Sequence, residues 1–324
     1  AGGGGVNRNV IINGAMNVAQ RGTSSTGLGA NTDATTRYQT IDRFGIDVEG
    51  TTLGRYTMTQ DSSAPEGFAN SLKLACTTAD TSIGAAELVT LSQIIEGQNL
   101  QHFCKGTSSA KSYAVSFYVK GNASATYVCE LFDGDNSRHV AKTFSVTTDW
   151  TRVELSFPAD TAGAFDDDAN ASLYLQIFLH AGSNFNSGTL PATWASKTNA
   201  NRAVGGNSFF DSTARTFFIT GVQLEVGQNP TEFEHEPFER TLAKCQRYYE
   251  EGYEILQCAL SSGNYRTTRG VFAVPKRSTS YTITLSNNTN STATDDSQRY
   301  LGSFQLYNQS GNYLEANWTC SDEL

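Results

Sequence analysis

Between Tyr38 and Gly227, apolar residues recur at every second position in one short segment after another. "RFGIDVEG" (43–50) alternates Phe44, Ile46 and Val48, and "SLKLAC" (71–76) alternates Leu72 and Leu74. "AVSFYVKG" (114–121) puts Val115, Phe117 and Val119 on one face; "RVELSFP" (152–158) does the same with Val153, Leu155 and Phe157. "SLYLQIFLHAG" (172–182) places Leu173, Leu175, Ile177 and Leu179 on one side and Tyr174, Gln176, Phe178 and His180 on the other. "RTFFITGVQLEVG" (215–227) closes the series. A period of two with one polar face predicts half-buried antiparallel strands. Many such strands separated by turn residues predict a β-sandwich of jelly-roll type over 6–236. Ahead of them lie a flexible glycine lead at 1–5 and the run Val10, Ile11, Ile12, closed by a turn at Asn13-Gly14. The Gly-, Ser- and Thr-rich stretch 22–36 reads as a long loop.

After Pro237 the period changes. "FERTLAKCQRYYEE" places Phe238, Leu242, Cys245 and Tyr249 on one face of a helix, with Gly252 as its stop. This predicts a connecting helix over 237–252. Strand patterns then resume at 253–260, 270–274, 280–287, 301–308 and 313–320, with a polar loop at 288–298. The expected fold class is mainly β: an antiparallel jelly roll, one short helix, and a small β-rich C-terminal domain at 253–324.

Charge narrows the partners. The chain carries 23 Lys and Arg against 32 Asp and Glu, a net charge of −9. A nucleic-acid binder needs clustered cations to neutralise phosphates, and no basic run exceeds Lys276-Arg277. Nucleic acid is therefore not an expected partner. No apolar run approaches the ~20 residues of a membrane-spanning helix, so membrane insertion is not expected either. The six Cys (76, 104, 129, 245, 258 and 320) contain no CxxC pair, which disfavours zinc and favours free thiols. Cys129, between Tyr127 and Leu131, reads as a buried thiol.

Candidate chemistry is sparse. Glu225, Glu232, Glu234, Glu236 and Glu239 crowd the end of a strand and the start of the helix, where the helix dipole stabilises carboxylates. Glu225, Glu232 and Glu234 have the residue type of a glycosidase pair, but a linear run does not establish two facing carboxylates. Asp166-Asp167-Asp168 offers a weak structural calcium site without EF-hand spacing. No cofactor and no other metal is expected. There is no GxSxG, P-loop or dinucleotide fingerprint, so catalysis is not the expected activity. His102 and His139 read as surface or turn residues, and His180 as hydrogen-bonded structure. The 18 Phe, 14 Tyr and 3 Trp suit sugar rings better, since Tyr joins an apolar ring to a polar tip. Trp150, Trp194 and Trp318 are expected to be packed.

Several stretches occur in a suggestive order: "NVIINGAMNVAQRG" (9–22), "DRF" (42–44), "QIIEG" (93–97), "SFYVKG" (116–121), "FFITGVQLEVG" (217–227), "TEFEHEPF" (231–238) and "LAKCQRYYE" (242–250). Together they resemble tail fibres and related virion structural proteins of tailed bacteriophages. The resemblance spans 9–250 and leaves 255–324 uncovered. It implies a jelly roll similar to carbohydrate-binding modules, a place on the tail or head surface of a virion, other virion proteins as partners, a homotrimer, and host-surface polysaccharide as a ligand. Its motif residues look like scaffold, so no ligand residues carry over. The leading expectation is a tail fibre or adhesin, with Tyr265, Tyr300, Tyr307 and Tyr313 as candidate ligand contacts. A capsid decoration or head fibre is the alternative, and a polysaccharide depolymerase the second alternative.

Overall fold

The computed structural model describes residues 7–31, 37–50, 53–257, 266–289, 292–293, 299–308 and 313–324. Its first twelve strands are β1 (Ser24–Leu28), β2 (Gly45–Glu49), β3 (Arg55–Asp61), β4 (Ser71–Thr78), β5 (Leu88–Glu96), β6 (Tyr113–Gly121), β7 (Ala125–Asp133), β8 (Arg138–Val146), β9 (Thr151–Phe157), β10 (Ala171–Ala181), β11 (Ala195–Ser196) and β12 (Thr216–Val226). A single helical turn, α1 (Ser183–Asn186), follows β10. These strands form two six-stranded sheets, ordered β1-β3-β4-β12-β6-β9 and β11-β8-β7-β10-β5-β2. Every pairing is antiparallel. The expected jelly-roll sandwich is what the chain forms.

The alternating residues account for the core. Leu173, Leu175, Ile177 and Leu179 of β10 pack with Val115, Phe117 and Val119 of β6 and with Phe217 and Ile219 of β12 in one apolar cluster between the sheets. Cys129 is fully buried in that cluster, as its position between Tyr127 and Leu131 implies. Each such side chain contributes about 1.5–3 kcal/mol through burial. Asn13 takes φ 60°, the left-handed turn expected there.

The remaining elements are α2 (Phe238–Gln246), β13 (Tyr249–Gln257), β14 (Arg266–Val271), β15 (Thr282–Thr289), β16 (Thr292–Ala293), β17 (Ser303–Asn308) and β18 (Tyr313–Ser321). They make two three-stranded sheets, β13-β18-β15 and β14-β17-β16. Phe272, Tyr281, Phe304, Leu306, Trp318 and Cys320 form their core. The chain divides into two compact units, one reaching to Glu236 and including Leu324, the other running from Pro237 to Glu323.

Four local expectations are corrected. The stretch 22–36 is not all loop, because Ser24–Leu28 pairs with β3. The helix ends at Gln246, and Tyr249, expected on its apolar face, begins β13 instead. Phe238, also expected on that face, is 55% exposed. Gly252 is not a helix stop: it lies in β13 opposite Trp318, where an added Cβ would stand 2.4 Å from Trp318 Cζ2. Its role is to leave room for the indole.

Candidate functional site

The acidic run at 225–239 is structural in its detail. Glu234 accepts the backbone N–H groups of Asn7 (2.6 Å), Arg8 (2.7 Å) and Asn9 (3.0 Å). Burial opposes the charge on Glu234, but those three amides and Arg8 outweigh it and hold the carboxyl below its ordinary value. Glu225 is 2% exposed, and its oxygens accept from Thr231 N (2.7 Å), Thr231 Oγ1 (2.8 and 2.9 Å) and Gln223 Nε2 (2.8 Å). The Glu232 side chain is 92% exposed. One carboxylate is thus enclosed by donors and the other lies in solvent, which is not a matched pair across a cleft. The His235 ring packs on Phe233 (4.9 Å) and Phe68 (5.1 Å). Beside this belt lies a polar cleft of about 700 Å3 lined by Arg8, His102, Glu225 and residues 226–231.

A second candidate surface is the outer face of the second sheet. On β10, Tyr174, Gln176 and Phe178 point away from the core, as the period of two requires. Register sets Tyr174 beside Phe132 of β7, Gln176 between Glu130 of β7 and Ser92 of β5, and Phe178 between Val128 and Thr90. The residues after β10 cover the Phe178 end: Phe178, Phe185, Leu88, Val128, Ala141 and Ala203 form a small apolar cluster of their own. The Tyr174 end is less covered than the Phe178 end. Tyr174 and Phe132 are half-buried, with ring centroids 5.4 Å apart. The exposed Lys197 sets its ammonium 4.9 Å from the Phe132 centroid.

Charged and amide groups flank these rings. Arg37 NH2 donates to Asp47 Oδ2 (3.0 Å) and Ser92 Oγ (2.7 Å). Arg202 grips the fully buried Glu130, donating from Nε (3.1 and 3.2 Å) and NH2 (2.6 Å), and also donates to Gln176 Oε1 (2.6 Å). His139 Nδ1 lies 2.7 Å from Glu130 Oε1. Burial raises the Asp47 carboxyl despite the opposing charge of Arg37. Burial also raises the Tyr174 phenol; Arg37 opposes this, while Asp47 and Asp135 reinforce it. The face therefore combines a half-buried phenol ring with neighbouring donors and acceptors already fixed by the sheet.

His139 is a correction: it is fully buried rather than on the surface. His102 is exposed in the short helical turn Gln101–Phe103, as expected. His180 is buried and meets Ser208 Oγ (2.8 Å) and Glu87 Oε2 (3.2 Å), the structural hydrogen bonding expected of it. Trp194 and Trp318 are packed, at 8% and 3% exposure. In the Asp166–Asp168 triplet, Asp168 accepts from Asn170 and the Asp166 backbone carbonyl accepts from Gln101. Of the four tyrosines singled out in the sequence, Tyr265 lies outside the described residues. Tyr307 and Tyr313 fall in β17 and β18, with side chains outside the described set. Tyr300 is 48% exposed with the Arg269 guanidinium 5.2 Å from its ring. Sequence reasoning places Tyr174 on the face opposite the core but gives no signal that Phe132 stands beside it.

No protein-family model and no curated protein sequence matches the chain. Solved structures that resemble it include one described as CBM4, with 14% identity and a TM-score of 0.34 over 66% of this chain and 98% of that one. A second is the enzymatically active domain of bacteriophage CBA120 tailspike protein 4, with 12% identity and a TM-score of 0.33 over 68% of this chain and 22% of that one. A third is the family 11 carbohydrate-binding module from Clostridium thermocellum in complex with a mixed-linked tetrasaccharide, with 12% identity and a TM-score of 0.30 over 66% and 98%.

Proposed function

We propose that this protein is a non-enzymatic, glycan-binding structural component of a phage virion, and that the outer face of the second sheet centred on Tyr174 holds the sugar. The observation that carries the reading is the half-buried Tyr174–Phe132 pair, with Arg37 and Asp47 nearby and the buried Gln176 beneath. A pyranose presents an apolar face to a ring and hydroxyls at its rim. The phenol of Tyr174 suits the first, and the amide, carboxylate and guanidinium suit the second. The near balance of Arg37 and Arg202 against Asp47 and Glu130 suits a neutral glycan better than a polyanion. The enclosed Glu225 and the exposed Glu232 support binding over hydrolysis. The ordered motifs from "NVIINGAMNVAQRG" to "LAKCQRYYE" support the virion role, and with it other virion proteins and a second and third copy of the chain as partners.

The test is a glycan array on the full chain, followed by calorimetry with the best ligand. Tyr174→Ala is expected to weaken binding at least ~10-fold, on the scale of a lost aromatic contact. Tyr174→Phe should retain most of it, and Tyr300→Ala should leave it unchanged. Unaltered binding by a folded Tyr174→Ala protein would reject this face. Loss in Tyr300→Ala would move the site to the smaller unit.

A further inference from the structure

Three metal-ligating side chains that the proposed sugar face does not use meet at one end of the larger unit. Asp80, Glu87 and His180 each offer one ligand atom, and the three atoms lie within 4.8 Å of one another. All three residues are buried, at 3%, 7% and 1% exposure. They come from different places in the fold. Asp80 follows the end of β4 in the first sheet, Glu87 immediately precedes β5, and His180 is the penultimate residue of β10 in the second sheet. A β-bulge between Phe178 and His180 interrupts the pairing of β10 with β5 just before the histidine. Bulges of this kind re-aim side chains.

We propose that Asp80, Glu87 and His180 bind one divalent transition-metal ion of the Zn2+ class, which clips the two sheets together at this end.

Donor spacing comes first. Ligands 2.0–2.2 Å from one ion at tetrahedral or octahedral angles stand roughly 3–3.6 Å apart. His180 Nε2 and Glu87 Oε2 are already 3.2 Å apart. The third donor, from Asp80, lies within 4.8 Å of both. Charge comes second. Two carboxylates and an imidazole nitrogen, with Glu87 Oε2 facing His180 Nε2, form a donor set that a dication matches in charge.

The supporting contacts have the form a metal site requires. His180 Nδ1 lies 2.8 Å from Ser208 Oγ, which in turn accepts Phe210 N–H at 3.0 Å. A proton on Nδ1 donated to that oxygen leaves the Nε2 lone pair facing Glu87, the tautomer a ligand histidine needs. Leu53 N (2.8 Å) and Ser82 N (3.2 Å) donate to the two Asp80 oxygens and fix that carboxylate. Gly84 leaves space beside Glu87, since an added Cβ would stand 3.0 Å from Oε1. Ligand type selects the ion: an imidazole among carboxylates suits Zn2+ and its neighbours, whereas Ca2+ and Mg2+ prefer all-oxygen sets.

The full chain, stripped with a chelator and dialysed, is titrated with Zn2+ and with Co2+ by calorimetry and visible absorption, with Ca2+ as competitor. One ion per chain, a melting temperature that rises with Zn2+, and affinity at least tenfold weaker in Glu87→Gln and His180→Gln are expected. Ser208→Ala should weaken binding by about 10–100-fold without removing a ligand. Absence of binding, binding retained in both ligand variants, or displacement by equimolar Ca2+ would overturn the proposal. Where a ligand variant does not fold, X-ray absorption of the Zn2+-loaded native chain decides: one imidazole with oxygen neighbours supports the site, and sulfur neighbours place the ion elsewhere.

Discussion

Replacing Arg202 by Met removes the only guanidinium bound to Glu130 among the described residues while keeping an unbranched side chain over Phe132 and Phe178. The two side chains are 9% and 0% exposed, so the pair is buried rather than solvated. Removing one member of such a pair costs about 3–5 kcal/mol, because the other charge is left in a dry site. The loss should depend on pH. In the native chain, burial pushes the Glu130 carboxyl up, but the His139 hydrogen bond and the Arg202 charge outweigh it and hold it below its ordinary 4.5. A depressed acid contributes stability above its unfolded value, and this is lost as pH falls through the folded value. Without Arg202, only His139 opposes burial, so the carboxyl's folded value rises from its native position and the stability held by the charged form shrinks. The penalty of Arg202→Met should therefore be several kcal/mol at pH 7 and distinctly smaller near pH 4. Native-state hydrogen exchange on β7 and β10 in urea isolates the larger unit from the smaller. A penalty equal at both pH values, or below about 1 kcal/mol at pH 7, would refute the reasoning.

Gly252→Ala drives a Cβ into the Trp318 indole and should destabilise the smaller unit by about 1–3 kcal/mol, read as a lowered calorimetric transition; an unmoved transition would contradict the packing. Glu234→Ala should release residues 7–9 from the end of the sandwich and expose them to limited proteolysis. Native protein should show the same sensitivity as pH falls below 4.5 through the lowered carboxyl value, and an acid-insensitive digest would speak against it. Burial pushes the Cys129 thiol up and the Cys320 thiol up to about 12. Iodoacetamide at pH 8 should therefore spare both and label the half-buried Cys104 faster, with equal labelling counting against the fold.

β2, β4, β6, β9 and β10 announced themselves by apolar alternation. β5 did not, because every residue of Leu88–Glu96 is buried. The core covers one of its faces, while Arg37 and the segment after β10 cover the other, so "LVTLSQIIE" shows no polar period. The β13 boundary was missed because Cys245 and Tyr249 continue a helical spacing while the chain has already turned at Arg247 and Tyr248. The proposed sugar face was half legible. Tyr174, Gln176 and Phe178 could be assigned to the side opposite the core, but only register reveals Phe132 and Arg202 beside them. Nothing in sequence spacing links Asp80, Glu87 and His180, since three separate strand ends bring them together.

Glu234 fastens amides 225 to 227 positions earlier in the chain. β12, the last strand of the larger unit, takes the centre of the first sheet between β4 and β6. During synthesis, β4 and β6 thus leave the ribosome with bare inner edges and stay so until the strand that joins them emerges. The first sheet closes only once β12 has emerged, and until then the nascent unit carries two unpaired edges open to neighbouring chains.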